Sequence, residues 1–186
     1  MKIKNIIDRC IDDEIEVEYY SKDISLESIK AFEKKIGFAL PKEYIEFCMS
    51  KYVPISIIVK EDVWEPADCG DMGPAWTFMN GFYLNSFSTS IHEDFYIPTL
   101  SQEFKESSDI NGVVFMNETT SSDVYCFLED QKIYQLAQSG YELDDYDENF
   151  LEFFEIELID LMRRKEAYKK RKKDKTVSMP ISVRYD

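Results

Sequence analysis

Apolar residues recur at helical spacing between residues 26 and 36, so this segment is predicted to form a helix with one buried face. Ser25 is a suitable N-cap, and Gly37 can end the helix because glycine accepts the left-handed backbone without a clash. Pro41 can open a second helix, since its missing N–H costs nothing in the first turn. The apolar side of that helix is formed by Tyr44, Ile45, Phe47 and Cys48. Together these patterns predict a compact helical hairpin.

Short apolar or alternating runs predict strands through the middle of the chain. Val113–Met116 is continuously apolar, which is typical of a central strand buried on both faces. Residues 124–128 and 133–136, joined by a turn at 129–131, predict a β-hairpin. Further strands are predicted within residues 13–22, at Val53–Lys60, Gly81–Phe87 and Phe95–Ile97.

Amphipathic helices are predicted at both ends of this strand-rich region. The first lies within residues 1–12, and the last, capped by Asp147, covers Phe150–Met162. The pattern favours an α+β fold: one domain whose mainly antiparallel central sheet is flanked by an N-terminal helical hairpin and a C-terminal helix. We place that domain at residues 1–162 and a basic C-terminal extension at residues 163–186.

The hairpin has a distinctive sequence, in which a helix of acidic and basic residues is followed by Ile-Gly-Phe-Ala-Leu-Pro-Lys-Glu-Tyr at residues 36–44. This resembles the SUKH superfamily, which includes bacterial immunity proteins and the fungal Smi/Knr cell-wall regulators. The resemblance extends from about residue 23 to about residue 162 through the glycine-aromatic run at residues 81–84, the late hairpin and the closing helix. The chain departs from the family pattern in its basic extension and in lacking Asn-Gly after the second helix.

Composition limits the class of protein. The 186 residues are 44% hydrophobic and 15% aromatic, which supports a folded core. No run of eighteen apolar residues exists, and the N-terminus turns acidic before a signal-like core could form, so we expect a soluble cytoplasmic protein without membrane contact. The four cysteines are scattered without a CxxC pair, which favours reduced structural thiols over zinc.

Charge is distributed unevenly. The chain carries −15, but residues 163–175 hold nine basic and two acidic residues, a net +7 that leaves −22 on the remainder. Such a body repels nucleic acid and attracts cationic partners. The basic run could be a solvated helix extension or tail, a nucleic-acid-binding arm, or a segment that folds onto the acidic body. The first interpretation is favoured, without a nucleic-acid role.

Candidate catalytic chemistry is sparse. The single histidine, His92, lies beside ordinary acids and is best interpreted as a surface loop residue. No nucleophile elbow, P-loop or dinucleotide fingerprint is present, so no catalytic residue and no cofactor is predicted. A metal site formed by Asp62, Asp68 and Asp71 would not have calcium-loop spacing, and none is predicted.

Two acidic-aromatic segments are the candidate binding surfaces. Residues 61–76 place two tryptophans among five carboxylates, with Trp64 expected to be an exposed anchor and Trp76 buried, although both could fill the core. Residues 141–148 interleave tyrosines with acids and could mimic a nucleic-acid backbone, or form a solvated loop. The predicted partner-binding residues are Asp62, Trp64, Glu65, Asp68, Asp71, Glu142, Asp144, Asp145 and Tyr146.

The resemblance implies a non-catalytic immunity protein that neutralises a cognate toxin domain, often a nuclease, by direct contact. The residues add an acidic, aromatic exterior suited to a basic partner. An alternative is a regulatory scaffold of the cell-wall-regulator type that binds endogenous proteins. A nucleic-acid-binding module that uses residues 163–175 is the third possibility.

Overall fold

The computed structural model describes residues 3–19, 24–50, 53–65, 74–119, 123–136 and 143–175. Five α-helices lie in these ranges, together with short 3₁₀ helices at Ala75–Phe78 and Glu93–Phe95. The helices are α1 (Ile3–Cys10), α2 (Leu26–Ile36), α3 (Lys42–Cys48), α4 (Ile97–Ser108) and α5 (Phe150–Arg171). The strands are β1 (Ile15–Tyr19), β2 (Pro54–Val59), β3 (Gly81–Leu84), β4 (Val113–Glu118), β5 (Val124–Phe127), β6 (Ile133–Leu136) and β7 (Leu143–Tyr146).

The described strands form one seven-stranded antiparallel sheet in which each strand pairs with the next along the chain. The α+β prediction is confirmed, because α1 precedes the described strands in the chain and α5 follows them. The predicted central strand is β4, the middle strand of the order β1 to β7. The predicted late hairpin is β5 and β6, whose turn places Gln131 in the left-handed region at φ 65°.

Local signals position the helical hairpin as predicted. Ser25 Oγ accepts the Ser28 backbone N–H at 3.1 Å, and Gly37 ends α2 at φ 92°. Buried Glu33 fixes the loop between the two helices, because its Oε1 accepts the Leu40 backbone N–H at 2.8 Å. The loop therefore needs both a glycine that turns the chain and a carboxylate that satisfies a buried donor.

The sheet buries a different core on each face. One face packs against residues of α1, α2, α3 and α5, and its centre is a group of aromatic rings. This group comprises Tyr44, Phe47, Phe115, Phe127 and Phe150. The other face packs against α4, where Phe104 meets Val114, Cys126 and Leu136. Strand alternation explains the division, since Phe127 and Cys126 are neighbours that point to opposite faces.

Three elements differ from the prediction. The segment Phe95–Ile97 is not a strand: it ends a 3₁₀ helix and begins α4, which Pro98 favours by lying in the first turn. Residues predicted as an acidic loop form strand β7. The last helix is capped by Asn149 rather than Asp147, because Asn149 and Glu152 form a reciprocal capping box.

Helix α5 is also longer than predicted. It continues without a break through residue 162 to Arg171, so the predicted domain boundary falls inside a helix. The interpretation of the basic run as a helix extension is confirmed as far as Arg171. The division of the chain at residue 162 remains a prediction.

Candidate protein-binding surface

The basic residues of α5 lie against acids near the start of the chain. Lys165 is fully buried, and its Nζ contacts carboxylate oxygens of Asp12 and, at 2.7 Å, of Glu14. Lys169 Nζ donates to both Glu14 oxygens at 2.8 and 2.9 Å. Hydrogen bonds from Lys165 and Lys169 lower the pKa of Glu14 to about 2. Burial alone would lower the pKa of Lys165, but its bonds to Asp12 and Glu14 raise it.

Two more basic residues of the run are paired with acids of the body. Arg164 and Glu118 form a buried ion pair at 3.0 Å. Lys172 lies 3.0 Å from Glu65 and also faces the Tyr168 ring, 5.6 Å from its centroid. The expectation of a solvated extension is therefore wrong for Arg164 and Lys165. Folding onto the acidic body, one of the three interpretations, describes these contacts.

Trp64 is buried, and the expectation that it is an exposed anchor is wrong. It is 1% exposed, stacks on Tyr168 with ring centroids 4.4 Å apart, and donates its indole N–H to the Thr77 carbonyl at 2.8 Å. The reason is the length of α5, which brings Tyr168 beside the indole. Trp76 is buried as predicted, at 4% exposure. Neither ring is available to a partner.

Of the four predicted carboxylates around these tryptophans, two lie in the described residues. Asp62 and Glu65 are exposed, and Glu65 is paired with Lys172. Asp68 and Asp71 lie outside the described residues. Contact of a partner with any of these four carboxylates remains a prediction.

The second predicted surface is the edge strand β7. Asp144 and Asp145 are exposed, whereas Tyr146, which was also predicted to bind a partner, is buried. Alternation along the strand turns Tyr146 inward, where its ring lies 5.6 Å from that of Phe153 and its hydroxyl donates to Gln135. Glu142 lies outside the described residues.

A lysine occupies this second cluster. Lys132 Nζ lies 2.8 Å from an Asp147 oxygen and 3.3 Å from an Asp145 oxygen. Hydrogen bonds to Asp147 and then to Asp145 raise the pKa of Lys132 well above its usual range. The acidity of the β7 surface is thus partly neutralised within the chain.

The structure does not bring the two predicted clusters together. Trp64 contacts Tyr168 in the last part of α5, whereas Tyr146 contacts Phe153 in its first turn. At 1.5 Å per residue, these contacts lie roughly 22 Å apart along the helix. They are two surfaces, each with its own internal cation.

A third acidic surface was not predicted. The pairing Glu18↔Ser56↔Tyr83↔Asn117 places these residues on one sheet face, and this row continues to Val124 in the core beneath α4. The helix covers the β4–β6 part of the face. We call the remaining part the outer β1–β3 face; it consists of Glu16, Glu18, Ile58, Tyr83 and, beside them, Phe95.

The outer β1–β3 face combines exposed carboxylates with half-buried rings. Glu16 and Glu18 are exposed, and Ser56 Oγ donates to Glu18 Oε2 at 3.2 Å. The Tyr83 and Phe95 rings are half-buried, with centroids 5.1 Å apart. The signal in the sequence was the alternation of apolar and acidic residues at positions 15–18, which is typical of a strand with one acidic side.

His92 is the single histidine of the chain. His92 has a 69% exposed side chain on the surface, with Nδ1 3.1 Å from Asp94. Within these ranges no group of three or more His, Cys, Asp or Glu side chains is arranged to hold a metal ion. Burial raises the pKa of both the Cys48 and the Cys126 thiol to about 12. None of the helices in the described ranges is long and apolar enough to cross a bilayer.

These observations define an α+β domain with an acidic exterior, built on an antiparallel sheet with a helical hairpin. The sequence model of the SMI1 / KNR4 family (SUKH-1) matches residues 23–156, and the chain belongs to this family. The match begins after β1 and ends within α5, so Glu14, Lys165 and Lys169 lie outside it. No curated protein and no solved structure matches the chain at a significant level.

Proposed function

We propose that this protein is an immunity protein that neutralises a basic toxin domain by binding it, without catalysis. Membership of the SUKH-1 family supports this class of function. The observation that carries the proposal is that residues of the basic run form ion pairs with acids of the same chain. Four of the nine basic residues of this run, Arg164, Lys165, Lys169 and Lys172, are paired with acids of the body, so these four do not form a separate cationic arm. The chain as a whole keeps a net charge of −15.

Neutralisation would work through surface complementarity. Exposed carboxylates attract a cationic toxin surface over long range, which accelerates association and makes it sensitive to salt. A nuclease toxin must present cations to a phosphate backbone, so carboxylates that occupy those cations would compete with its substrate. The immunity protein needs no reactive group for this, only a surface that excludes the substrate.

Co-expression tests the proposal directly. Genes that neighbour the gene for this chain are searched for a toxin domain. That domain is expressed in a bacterial host with and without the protein, and survival and complex formation are measured. We expect protection and a complex at micromolar concentration or below, with an association rate that falls as salt rises. An acidic domain of similar size and net charge is the control for charge alone. Absence of both protection and complex refutes the proposal.

The alternatives predict different results. A regulatory scaffold of the cell-wall-regulator type would bind an endogenous protein and give no protection. A nucleic-acid-binding module would bind DNA or RNA at about 50 mM salt, where phosphate contacts are strongest. We expect no such binding, because the chain carries −15 and four cations of the basic run, Arg164, Lys165, Lys169 and Lys172, are already paired with acids of the body.

A further inference from the structure

We propose that the outer β1–β3 face is the surface that binds the partner, and that it takes an arginine-rich segment of that partner. This inference rests on the proposed function and names its site. It replaces the two surfaces predicted from sequence, whose rings at Trp64 and Tyr146 are buried.

Charge is the first argument for this face. Glu65 and Asp145, on the other two surfaces, already have lysine partners at 3.0 and 3.3 Å. Glu16 and Glu18 form no ion pair with any residue that the structure describes, and Glu18 is held only by the Ser56 hydroxyl. Residues two apart on a strand lie roughly 7 Å apart on the same side. These two carboxylates therefore repel each other until a cation from outside approaches both.

The rings are the second argument. Tyr83 lies two strands from Glu18 in the same row, about 10 Å away between Cα atoms. Phe95 lies against Tyr83, and Glu93 and Asp94 are exposed on the short helix that holds Phe95. A guanidinium can stack on an aromatic ring while its N–H groups bond a carboxylate, which lysine does less well. The face offers both elements side by side.

The position of the acids relative to the family match is a third argument. Glu16 and Glu18 precede residue 23, where the SUKH-1 match begins. The carboxylates of the outer β1–β3 face thus lie on a strand that precedes the part of the chain that the family model matches. A contact that must select one partner can use residues outside the part that the family model matches.

A titration with a defined peptide tests the face without knowledge of the toxin. The ¹⁵N-labelled protein is titrated with the amidated peptide (Arg-Ala)₅, and backbone amide shifts are mapped. We expect the largest shifts at residues 16–19, 56, 83 and 95. The double variant Glu16→Gln/Glu18→Gln should weaken binding roughly tenfold or more. The matched control Asp144→Asn/Asp145→Asn makes the same change in net charge and should weaken binding by about twofold or less.

The same comparison in the protection assay separates the two proposals. Glu16→Lys/Glu18→Lys should abolish protection by an otherwise folded protein, while Asp144→Lys/Asp145→Lys should retain it. If wild-type protein protects and only the β7 variant fails, the outer β1–β3 face is not the binding surface, whereas the proposed function stands. If wild-type protein does not protect, the function is wrong, and the peptide map alone decides the face. Equal loss in both double variants, or shifts spread over all acidic surfaces, overturns the inference.

Discussion

Replacing Trp64 distinguishes a structural indole from a binding anchor. The ring is 1% exposed, is stacked on Tyr168 and donates a hydrogen bond to the Thr77 carbonyl. Truncating a buried tryptophan to alanine costs about 3–5 kcal/mol, since the transfer energy is lost and a cavity remains. We therefore expect Trp64→Ala to lower the free energy of unfolding by about 4 kcal/mol. Trp64→Phe keeps a ring and loses the N–H donor, so it should cost about 1–2 kcal/mol.

Urea unfolding followed by circular dichroism measures both values at pH 7. For a chain of this length, 4 kcal/mol corresponds to a fall of about 8–16 °C in Tm. A double-mutant cycle with Tyr168→Ala should give a coupling energy of about 0.5–1.5 kcal/mol, because the rings are in contact. Partner binding by the folded Trp64→Phe variant should equal that of the wild type.

Two results would refute this reasoning. A loss below about 1 kcal/mol for Trp64→Ala would mean that the indole is not packed as described. A stable Trp64→Phe variant that no longer binds its partner would restore the anchor role expected from sequence. In either case the position of Tyr168 along α5 would need revision.

Three more predictions concern the rest of the molecule. The folded pKa of Glu14 is about 2 against an ordinary 4.5, so its stabilising effect is present above pH 4.5 and is lost as the pH falls towards 2. In urea titrations, the difference in unfolding free energy between wild type and Glu14→Gln should therefore shrink between pH 5 and pH 2.5. In the same titrations, Gly81→Ala should lower the free energy of unfolding by about 3 kcal/mol, since the new Cβ would lie 2.3 Å from the Ile57 carbonyl oxygen. The control Gly112→Ala should lower it less, because its Cβ would meet only side chains at 3.0 Å or more. In a Cys10→Ser/Cys69→Ser variant, the buried thiols Cys48 and Cys126 should react with a disulfide reagent only after denaturation, and rapid reaction of the native protein would contradict their burial.

The elements with strong local signals were predictable. The helical hairpin has an N-cap at Ser25 and a left-handed glycine at Gly37, and both act within a few residues. Helix α4 was missed for two reasons. Its apolar side is narrow, and its first residue belongs to the segment Phe95–Ile97, which was predicted as a strand. Strand β7 was missed because Leu143 and Tyr146 enclose two acids, and only pairing with β6 makes that segment a strand.

The candidate site was predictable in charge but not in place. The sequence identified acidic-aromatic segments, but burial of Trp64 depends on Tyr168, which is distant in the chain. The basic run was predicted as a solvated helix extension or tail. It is helical as far as Arg171, but the pairing of Lys165 with Asp12 and Glu14 depends on the tertiary fold. The outer β1–β3 face could not be located, because it exists only where α4 leaves part of the sheet uncovered.

The meeting of α1 with α5 affects how the chain can fold during synthesis. Arg9 bonds Glu155 at 2.5 Å, and the rings and leucines of α5 complete the larger core. The ribosome makes α1, α2 and α3 before most of the sheet and α5 after every strand that the structure describes, so the sheet emerges with the α5 part of its inner face uncovered. Until α5 is available, that part of the face is exposed to other nascent chains. Slow translation of the codons for α5 would prolong this period, and a chaperone that covers the face would then raise the yield.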